Sequence, residues 1–342
     1  MIISRTPYRV SFFGGGTDYP GWYRQHGGQV LATSIDKYLY ITCRYLPPFF
    51  EHRLRLVYSK QELCQSFEEL THPTARETLR FAGLEQDLEI HYDGDLPGRS
   101  GIGSSSAFTV GLLNALYRFK GEDVGAHRLA RESIYIEQEL VGEKVGSQDQ
   151  VSVAYGGLNR IQFLPDGEIV VRPIAADRDR VNQLSDRLML FYTGISRTAS
   201  EIANTYVSDL NKRGESLHRL NQLVDDAIDI LVGEVDLDHF GELLHETWTL
   251  KRSLSPQIST PKIDALYSIA QSAGAIGGKL SGAGGGGMLL LYVPLGQQAD
   301  VRDALSDLIH VPFKFDTDGT KIIFQDNSQR YEDGEKLRAV AK

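Results

Sequence analysis

An α+β fold in two units is what this sequence predicts, on three observations. The first 60 residues alternate in the strand manner, positions 198–273 read as almost continuous helix, and the chain closes on a strand, a helix and two further short strands. Hydrophobicity of period 2 that gives way to period 3.6 segregates strands from helices, which argues against a doubly wound parallel sheet. With 342 residues and 41 % hydrophobic content the chain has material for two cores.

The elements follow in order. Tyr8, Val10 and Phe12 share one face of the opening strand, and Tyr38, Tyr40 and Thr42, then Leu54 and Leu56, repeat the alternation. From Glu62 to Arg80 the pattern loosens into helix with polar cover, and Leu88, Ile90 and Tyr92 form a short strand that runs into a glycine-rich segment. A helix over 104–119 places Phe108, Leu112 and Leu116 at i, i+4 spacing as a core-facing stripe, and another covers 126–141. Strands are expected near 151–163, 168–174 and 188–192. After the long helical stretch come a glycine-rich loop, the apolar strand 288–293, a helix near 297–310 and strands at 313–316 and 320–324. Beyond Asp326 the chain is polar and lacks a periodic apolar face. A boundary at 175 divides these elements into units 1–175 and 176–342.

Composition narrows the function classes. A formal charge of −9 with no basic stripe excludes a nucleic-acid footprint, because a polyanion needs clustered Lys and Arg. Any phosphate must be met by local donors and metal. Two cysteines, Cys43 and Cys64, belong to no Cys-x-x-Cys or Cys/His cluster, so neither a disulfide framework nor a zinc site is expected. No apolar run of secretory length opens the chain, and none approaches the roughly 18 residues that span a bilayer. A cytoplasmic protein is expected, with no membrane partner; the sequence leaves the oligomeric state open, a homo-oligomer included.

Much of the glycine, 34 residues in all, is concentrated at 14–16, 98–103 and 282–287. Any one cluster is accounted for by a tight turn; three with distinct neighbours are not. In the middle segment, Leu96-Pro-Gly-Arg-Ser-Gly-Ile-Gly-Ser-Ser-Ser-Ala107, a strand end passes into the first turn of a helix. There, unpaired backbone N–H groups and the positive end of the dipole face whatever lies in front. Glycines let an anion approach the backbone, and Ser104, Ser105 and Ser106 add hydroxyls. One of these serines is expected to cap the helix, but a cap needs one, not three. The segment is not a Walker A loop, and Gly282, Gly284 and Gly287 match Gly-x-Gly-x-x-Gly only by chance, since they precede a strand.

Together these segments resemble the three motifs of the galactokinase, homoserine kinase, mevalonate kinase and phosphomevalonate kinase (GHMP kinase) superfamily, in order and over almost the whole chain. The motifs are Pro7-Tyr-Arg-Val-Ser-Phe-Phe-Gly-Gly-Gly-Thr-Asp18, Pro97 to Ala107, and Lys279-Leu-Ser-Gly-Ala-Gly-Gly-Gly-Gly287. Within that superfamily, Phe-Phe-Gly-Gly-Gly-Thr-Asp-Tyr-Pro with Ala32-Thr-Ser-Ile-Asp-Lys-Tyr38 looks most like the heptose 7-phosphate kinases, and next like the kinase part of fucokinases. Galactose kinases carry Gly-Glu-His-Thr-Asp where this chain has Gly14-Gly-Gly-Thr-Asp18. The difference leaves room and exposed N–H groups for a larger or already phosphorylated sugar. The resemblance implies an N-terminal domain like ribosomal protein S5 domain 2, a ferredoxin-like C-terminal domain, and a site in the cleft between them. It also implies ATP and Mg2+, and conversion of D-glycero-D-manno-heptose 7-phosphate to the 1,7-bisphosphate on the way to GDP-heptose for capsule or surface-layer glycans.

Roles then attach to residues. The resemblance makes Asp149 the base for the anomeric hydroxyl and Arg9 the guanidinium that holds it ionised; the plain alternatives are a loop aspartate capping its own turn and an exposed salt-bridge partner on a strand. Pro97, Gly98, Ser100, Gly101, Ile102, Gly103, Ser104, Ser105 and Ser106 would hold the nucleotide. Glu137 stands within or beside the apolar stripe of its helix and needs a cation or donors nearby, since a buried unpaired carboxylate is costly. The family's answer is magnesium shared with Ser105, and an ion pair is the alternative. Thr17, Asp18 and Asp36 are candidates for the sugar hydroxyls, Gly14, Gly15 and Gly16 for a distal phosphate, and Arg197 for added charge. Gly282 and Gly284 would brace the phosphate loop and line the acceptor site, or form only a helix-to-strand turn. A non-catalytic sugar or nucleotide sensor on the same fold would be expected to lose its base or metal ligand; Asp149 and Glu137 are both present.

Overall fold

Proline in a strand removes a ladder donor and is tolerated where the ladder is already irregular. In β1 (Ile2–Phe13) Pro7 sits at such a point. The pairing with β2 (Gly28–Tyr45) jumps there from Pro7↔Tyr38 to Tyr8↔Ile35, which throws Asp36 and Lys37 out of register. This computed structural model describes residues 1–84, 87–195 and 210–326. β1 and β2 are the spine of a nine-stranded sheet ordered β13-β1-β2-β5-β3-β4. Its other members are β3 (Leu54–Val57), β4 (Gln61–Cys64), β5 (Leu88–Gly94), β6 (Leu158–Phe163), β7 (Ile169–Pro173), β12 (Phe315–Asp316) and β13 (Lys321–Gln325). The 18 residues of β2 pair in turn with β6, β12 and β5.

The last two strands return to this first sheet, β12 beside β2 and β13 beside β1. Residues 315–325 are therefore built onto the unit expected for 1–175. The second sheet, all antiparallel, runs β11-β8-β10-β9, with β8 (Leu188–Tyr192), β9 (Gly277–Leu280), β10 (Met288–Tyr292) and β11 (Ile309–His310). The result is the expected α+β arrangement.

Helix α3 (Ser104–Phe119) packs across β1 and β2. Gly111 permits the approach: a Cβ there would lie 2.7 Å from Thr6 Oγ1, and its carbonyl accepts from Ser4 Oγ at 2.8 Å. Everything from Ser106 to Tyr117 is buried, so the expected one-sided stripe is only part of what the helix hides. The other helices of this half are α1 (Pro20–His26), α2 (Pro73–Ala82), α4 (Ala126–Tyr135) and α5 (Gln148–Tyr155). Residues 151–155, expected as strand, belong to α5, and the strand begins at Leu158. Val151 and Val153 alternate in the sequence, but the whole segment from Gln150 to Ala154 is buried, and helical periodicity vanishes when every face is covered. The span expected as helix from Glu62 begins instead as β4.

Among the described residues five further helices follow: α6 (Arg178–Arg187), α7 (Gly214–Val232), α8 (Asp238–Leu254), α9 (Pro261–Ser272) and α10 (Gln298–Ala304), the last shorter than the expected 297–310. Phe240 of α8 meets Phe12 at 5.4 Å and Phe13 at 5.0 Å between ring centroids, both edge-on. This explains why both neighbours at the end of β1 are buried where alternation would expose one. The two halves are thus joined beside the first glycine segment. Among the described residues no helix is long and apolar enough to cross a membrane.

Candidate active site

The bulge after Pro7 sets the aim of the next side chains on β1. Arg9 is 3 % exposed and donates from Nε (2.8 Å) and Nη2 (2.5 Å) to the two carboxylate oxygens of Asp149, and from Nη1 to Gly101 O at 2.7 Å. A two-pronged contact of this kind fixes the carboxylate in direction as well as distance. Asp149 lies in the first turn of α5, where the helix dipole favours negative charge, and at 27 % exposure it keeps one side open. Arg9 is thus a salt-bridge partner, but a buried one, and Asp149 is turned to it.

The phosphate segment is bent onto that pair. Gly101 and Gly103 have φ of +80° and +77°, the left-handed region glycine tolerates. A Cβ on Gly101 would stand 2.4 Å from Ser281 O, and one on Gly103 3.1 Å from Arg9 Cγ and 3.7 Å from Asp149 Oδ2. Ile102 O accepts from Arg9 N, and Ser100, whose Oγ donates to Pro97 O, accepts at its own carbonyl from Met288 N. The expected serine cap is absent: Gly103 is the N-cap and no side chain caps α3. Ser104 Oγ accepts from Arg99 N, Ser105 is exposed, and Ser106 turns inward. The leading N–H groups of α3 are left for an anion, behind a lip of exposed Pro97, Gly98 and Arg99.

The third glycine segment joins β9 to β10, a strand-to-strand connection in place of the expected helix-to-strand turn. Gly282 packs against Gly101 so closely that a Cβ would lie 2.6 Å from its Cα, and Gly284 packs on Ile258 in the same way. Bracing of the phosphate loop by this segment is therefore a backbone-to-backbone contact.

Of the first-segment residues, Thr17 is fully buried. Its hydroxyl faces Gly14 O (2.8 Å) and Gln29 O (3.0 Å) and accepts from Gln29 N (3.1 Å), so it braces the loop from within. Asp18 accepts from Gly16 N and Gln148 N. Burial pushes its carboxyl up from the ordinary range, and the nearby Asp149 charge adds to this. Gly15 is the open member of the triplet: the nearest atom to a Cβ there would be Gln148 Nε2 at 3.6 Å. Asp36, in the β2 bulge, is taken by Lys37 Nζ and Lys314 N, and among the described residues it shares no partner with Asp18 or Asp149. Arg197 lies outside the described residues.

Glu137 sits on Ile136–Leu140, where α4 widens into a π turn, a feature frequent at functional sites. It is 1 % exposed and meets three uncharged donors: Ser106 Oγ (3.1 Å), Thr109 Oγ1 (2.6 Å) and Gln150 Nε2 (2.6 Å). The hydroxyl against Glu137 is thus that of Ser106, one residue on from Ser105. Burial pushes the carboxyl up to about 7. Gln150 Oε1 is buried without a partner among the described residues, and this all-oxygen donor set suits a hard divalent cation. Among the described residues no cluster of three or more His, Cys, Asp or Glu is placed to hold a metal ion, so such a cation needs hydroxyls and substrate oxygens as well.

Two buried lysines carry contacts that their sequence positions did not announce. Lys279 donates to Ser11 O and Phe12 O, and Lys251 to Leu280 O and Gly282 O. Lys279 stands in the third motif, which is signal of a kind. Lys251, beside Arg252 near the end of an amphipathic helix, reads as surface.

Comparison with known proteins gives the family. The model of the GHMP kinases N terminal domain matches residues 69–157 and that of the GHMP kinases C terminal region matches 231–310. A D-glycero-alpha-D-manno-heptose 7-phosphate kinase of Campylobacter jejuni is 26% identical over 308 residues, 85% of this chain and 89% of that protein. A mevalonate kinase of Methanothermobacter thermautotrophicus is 30% identical over 222 residues, 64% of this chain and 68% of the relative. The crystal structure of a D-glycero-D-manno-heptose 1-phosphate kinase from Bacteroides thetaiotaomicron has a TM-score of 0.75 at 24% identity, covering 96% of this chain and 100% of that one. With both halves matched in order, the chain belongs to the GHMP kinases, as an ATP-dependent sugar kinase.

Proposed function

We propose that this kinase phosphorylates the anomeric hydroxyl of D-glycero-D-manno-heptose 7-phosphate to give the 1,7-bisphosphate. The observation that carries the reading is the Arg9–Asp149 pair seated on the phosphate segment. In phosphoryl transfer the protein supplies alignment, charge and a route for the acceptor's proton. The open side of Asp149 takes that proton, while Arg9 aims the carboxylate and offsets its repulsion from the arriving phosphoryl group. The triphosphate lies along Pro97, Gly98 and Ser100–Ser106, against the uncapped start of α3. Glu137 with Ser105, and Ser106 at its side, would hold magnesium, which when bound neutralises phosphate charge.

The choice of sugar is supported by the Campylobacter jejuni relative and by the first glycine segment. Gly15, with room around its Cα, puts no acidic side chain where one would repel a second phosphate, and Asp18 stands near Asp149 to orient ring hydroxyls. Unit 1–175, with β12 and β13 added to its sheet, and the rest of 176–342 form the walls of the cleft. The product leads towards GDP-heptose for surface glycans, made in the cytoplasm. ATP consumption measured against a panel of free and phosphorylated sugars tests the assignment: heptose 7-phosphate should exceed every other acceptor in kcat/KM. Equal use of free fucose would replace it with a fucokinase.

A further inference from the structure

Lys251 is 7 % exposed on α8 and belongs to no part of the scheme above. An ammonium has three donors. Two of them meet Gly282 O and, at 3.4 Å, Leu280 O, the carbonyls on either side of Ser281. Those carbonyls belong to the stretch that touches the phosphate loop, since Gly282 lies on Gly101 and Ser281 O faces the same glycine. Ser281 Oγ is itself buried without a partner among the described residues. Lys251 therefore grips, from the second half of the molecule, the backbone against which the phosphate segment rests.

Its surroundings are charged. Arg9 on β1, Asp18 in the loop after β1, Asp149 on α5 and Lys279 on β9 all act on it through their charges. We propose that Lys251 is a positioning residue for phosphoryl transfer: its ammonium holds the third glycine segment against the phosphate loop and lends the Arg9–Asp149 pair a positive charge that is secured when the phosphoryl group arrives. Burial is the largest influence on this ammonium, Arg9 adds to it, the two carboxylates oppose it, and the group is brought down to about 8. Near pH 8 a fraction of molecules then lack this proton. An arriving polyphosphate, by adding negative charge close by, draws the proton back.

The inference rests on Asp149 as the base and on the nucleotide lying over Gly101–Gly103, but not on which sugar is the acceptor. The test uses the full-length enzyme and a non-hydrolysable ATP analogue, titrated at pH 8 in buffers of different ionisation enthalpy. Wild type should take up a fraction of a proton per site and Lys251→Met none. With the best acceptor from the sugar panel, wild-type kcat/KM should fall above pH 8. Lys251→Met should lose that alkaline limb, with kcat lower by about 10²-fold, the scale of a misplaced reacting group. Lys251→Arg should restore part of kcat and push the limb to higher pH. Binding by wild type with no proton uptake at pH 8 overturns the proposal whether or not any variant folds. So does an alkaline limb that persists in Lys251→Met. Failure of the heptose assignment leaves both readouts unchanged.

Discussion

Replacing Glu137 with glutamine separates charge from shape at a fully buried carboxylate beside the phosphate segment. Burial is the largest influence on Glu137 and Glu143 adds to it; the donors Thr109, Gln150 and Ser106 offset only part, and the carboxyl rises from 4.5 to about 7. The folded protein therefore keeps a proton that the unfolded chain releases between pH 4.5 and 7. Since the folded state binds more protons in that window, stability from this residue falls as pH rises through it. With each pH unit between those two values worth about 1.4 kcal/mol, ionised Glu137 costs on the order of 3 kcal/mol above pH 7 and nothing below 4.5. Glutamine copies the protonated acid, and Gln150, whose Oε1 lacks a partner among the described residues, can turn to accept its N–H. In urea unfolding without divalent cations, Glu137→Gln should equal wild type near pH 4.5 and exceed it by about 2–3 kcal/mol at pH 8. Magnesium with an ATP analogue should then stabilise wild type more than the variant, while turnover of the variant falls. A variant with the wild-type pH slope, or one less stable at pH 8, would refute the assignment of a buried, strained charge.

Three further substitutions probe separate parts of the site. Asp149→Asn should leave ATP-analogue binding by calorimetry nearly unchanged and lower turnover by about 10²–10⁴-fold; unchanged turnover removes Asp149 from the mechanism. Gly101→Ala brings a Cβ to 2.4 Å from Ser281 O at a φ of +80°. It should lower Tm, since a left-handed non-glycine alone costs about 1–2 kcal/mol, and raise KM for ATP; a wild-type KM would show that the two glycine segments do not brace one another. Thr17→Val strips a hydroxyl that meets Gly14 O, Gln29 O and Gln29 N. It should cost about 1–3 kcal/mol in urea unfolding, and an unchanged stability would mean that the loop does not depend on this hydroxyl.

What was legible in the sequence, and what was not, follows from how each residue acts. The glycine segments could be read because glycine at Gly101, Gly103 and Gly282 answers a backbone demand, a positive φ or a close approach, that no other residue meets. Arg9 and Asp149 were legible through the motifs around them, although 140 residues separate them in the chain and no periodicity joins them. The strand expected at 151–155 failed for the reason α5 is useful: a helix buried on all sides has no hydrophobic period, yet its rigid first turn is what presents Asp149. Thr17 and Asp36 illustrate a different limit: a motif does not display the partners that the fold gives a polar residue. The fold spends the hydroxyl of Thr17 on its own loop and displaces Asp36 through the bulge that Pro7 imposes.

Lys251 marks the limit of such reading most clearly. Nothing in Thr247-Trp-Thr-Leu-Lys-Arg252 distinguishes it from Arg252, which pairs with Asp264 at 2.9 Å while half in solvent. One helical step of 100° separates a surface cation from a buried one, and which of the two turns inward is decided by where α8 docks. That docking is fixed by Phe240 between Phe12 and Phe13 and by Gly277, where a Cβ would stand 1.9 Å from Gly241 O. The Gly277 contact therefore sets Lys251 on the carbonyls of the third glycine segment, and the Phe240 contacts bring that segment to the phosphate loop of the first half. Charge at the centre of the site depends on how the halves pack, so substitutions at Gly277 or Phe240, remote from any substrate, are expected to move the alkaline limb of the pH profile along with stability.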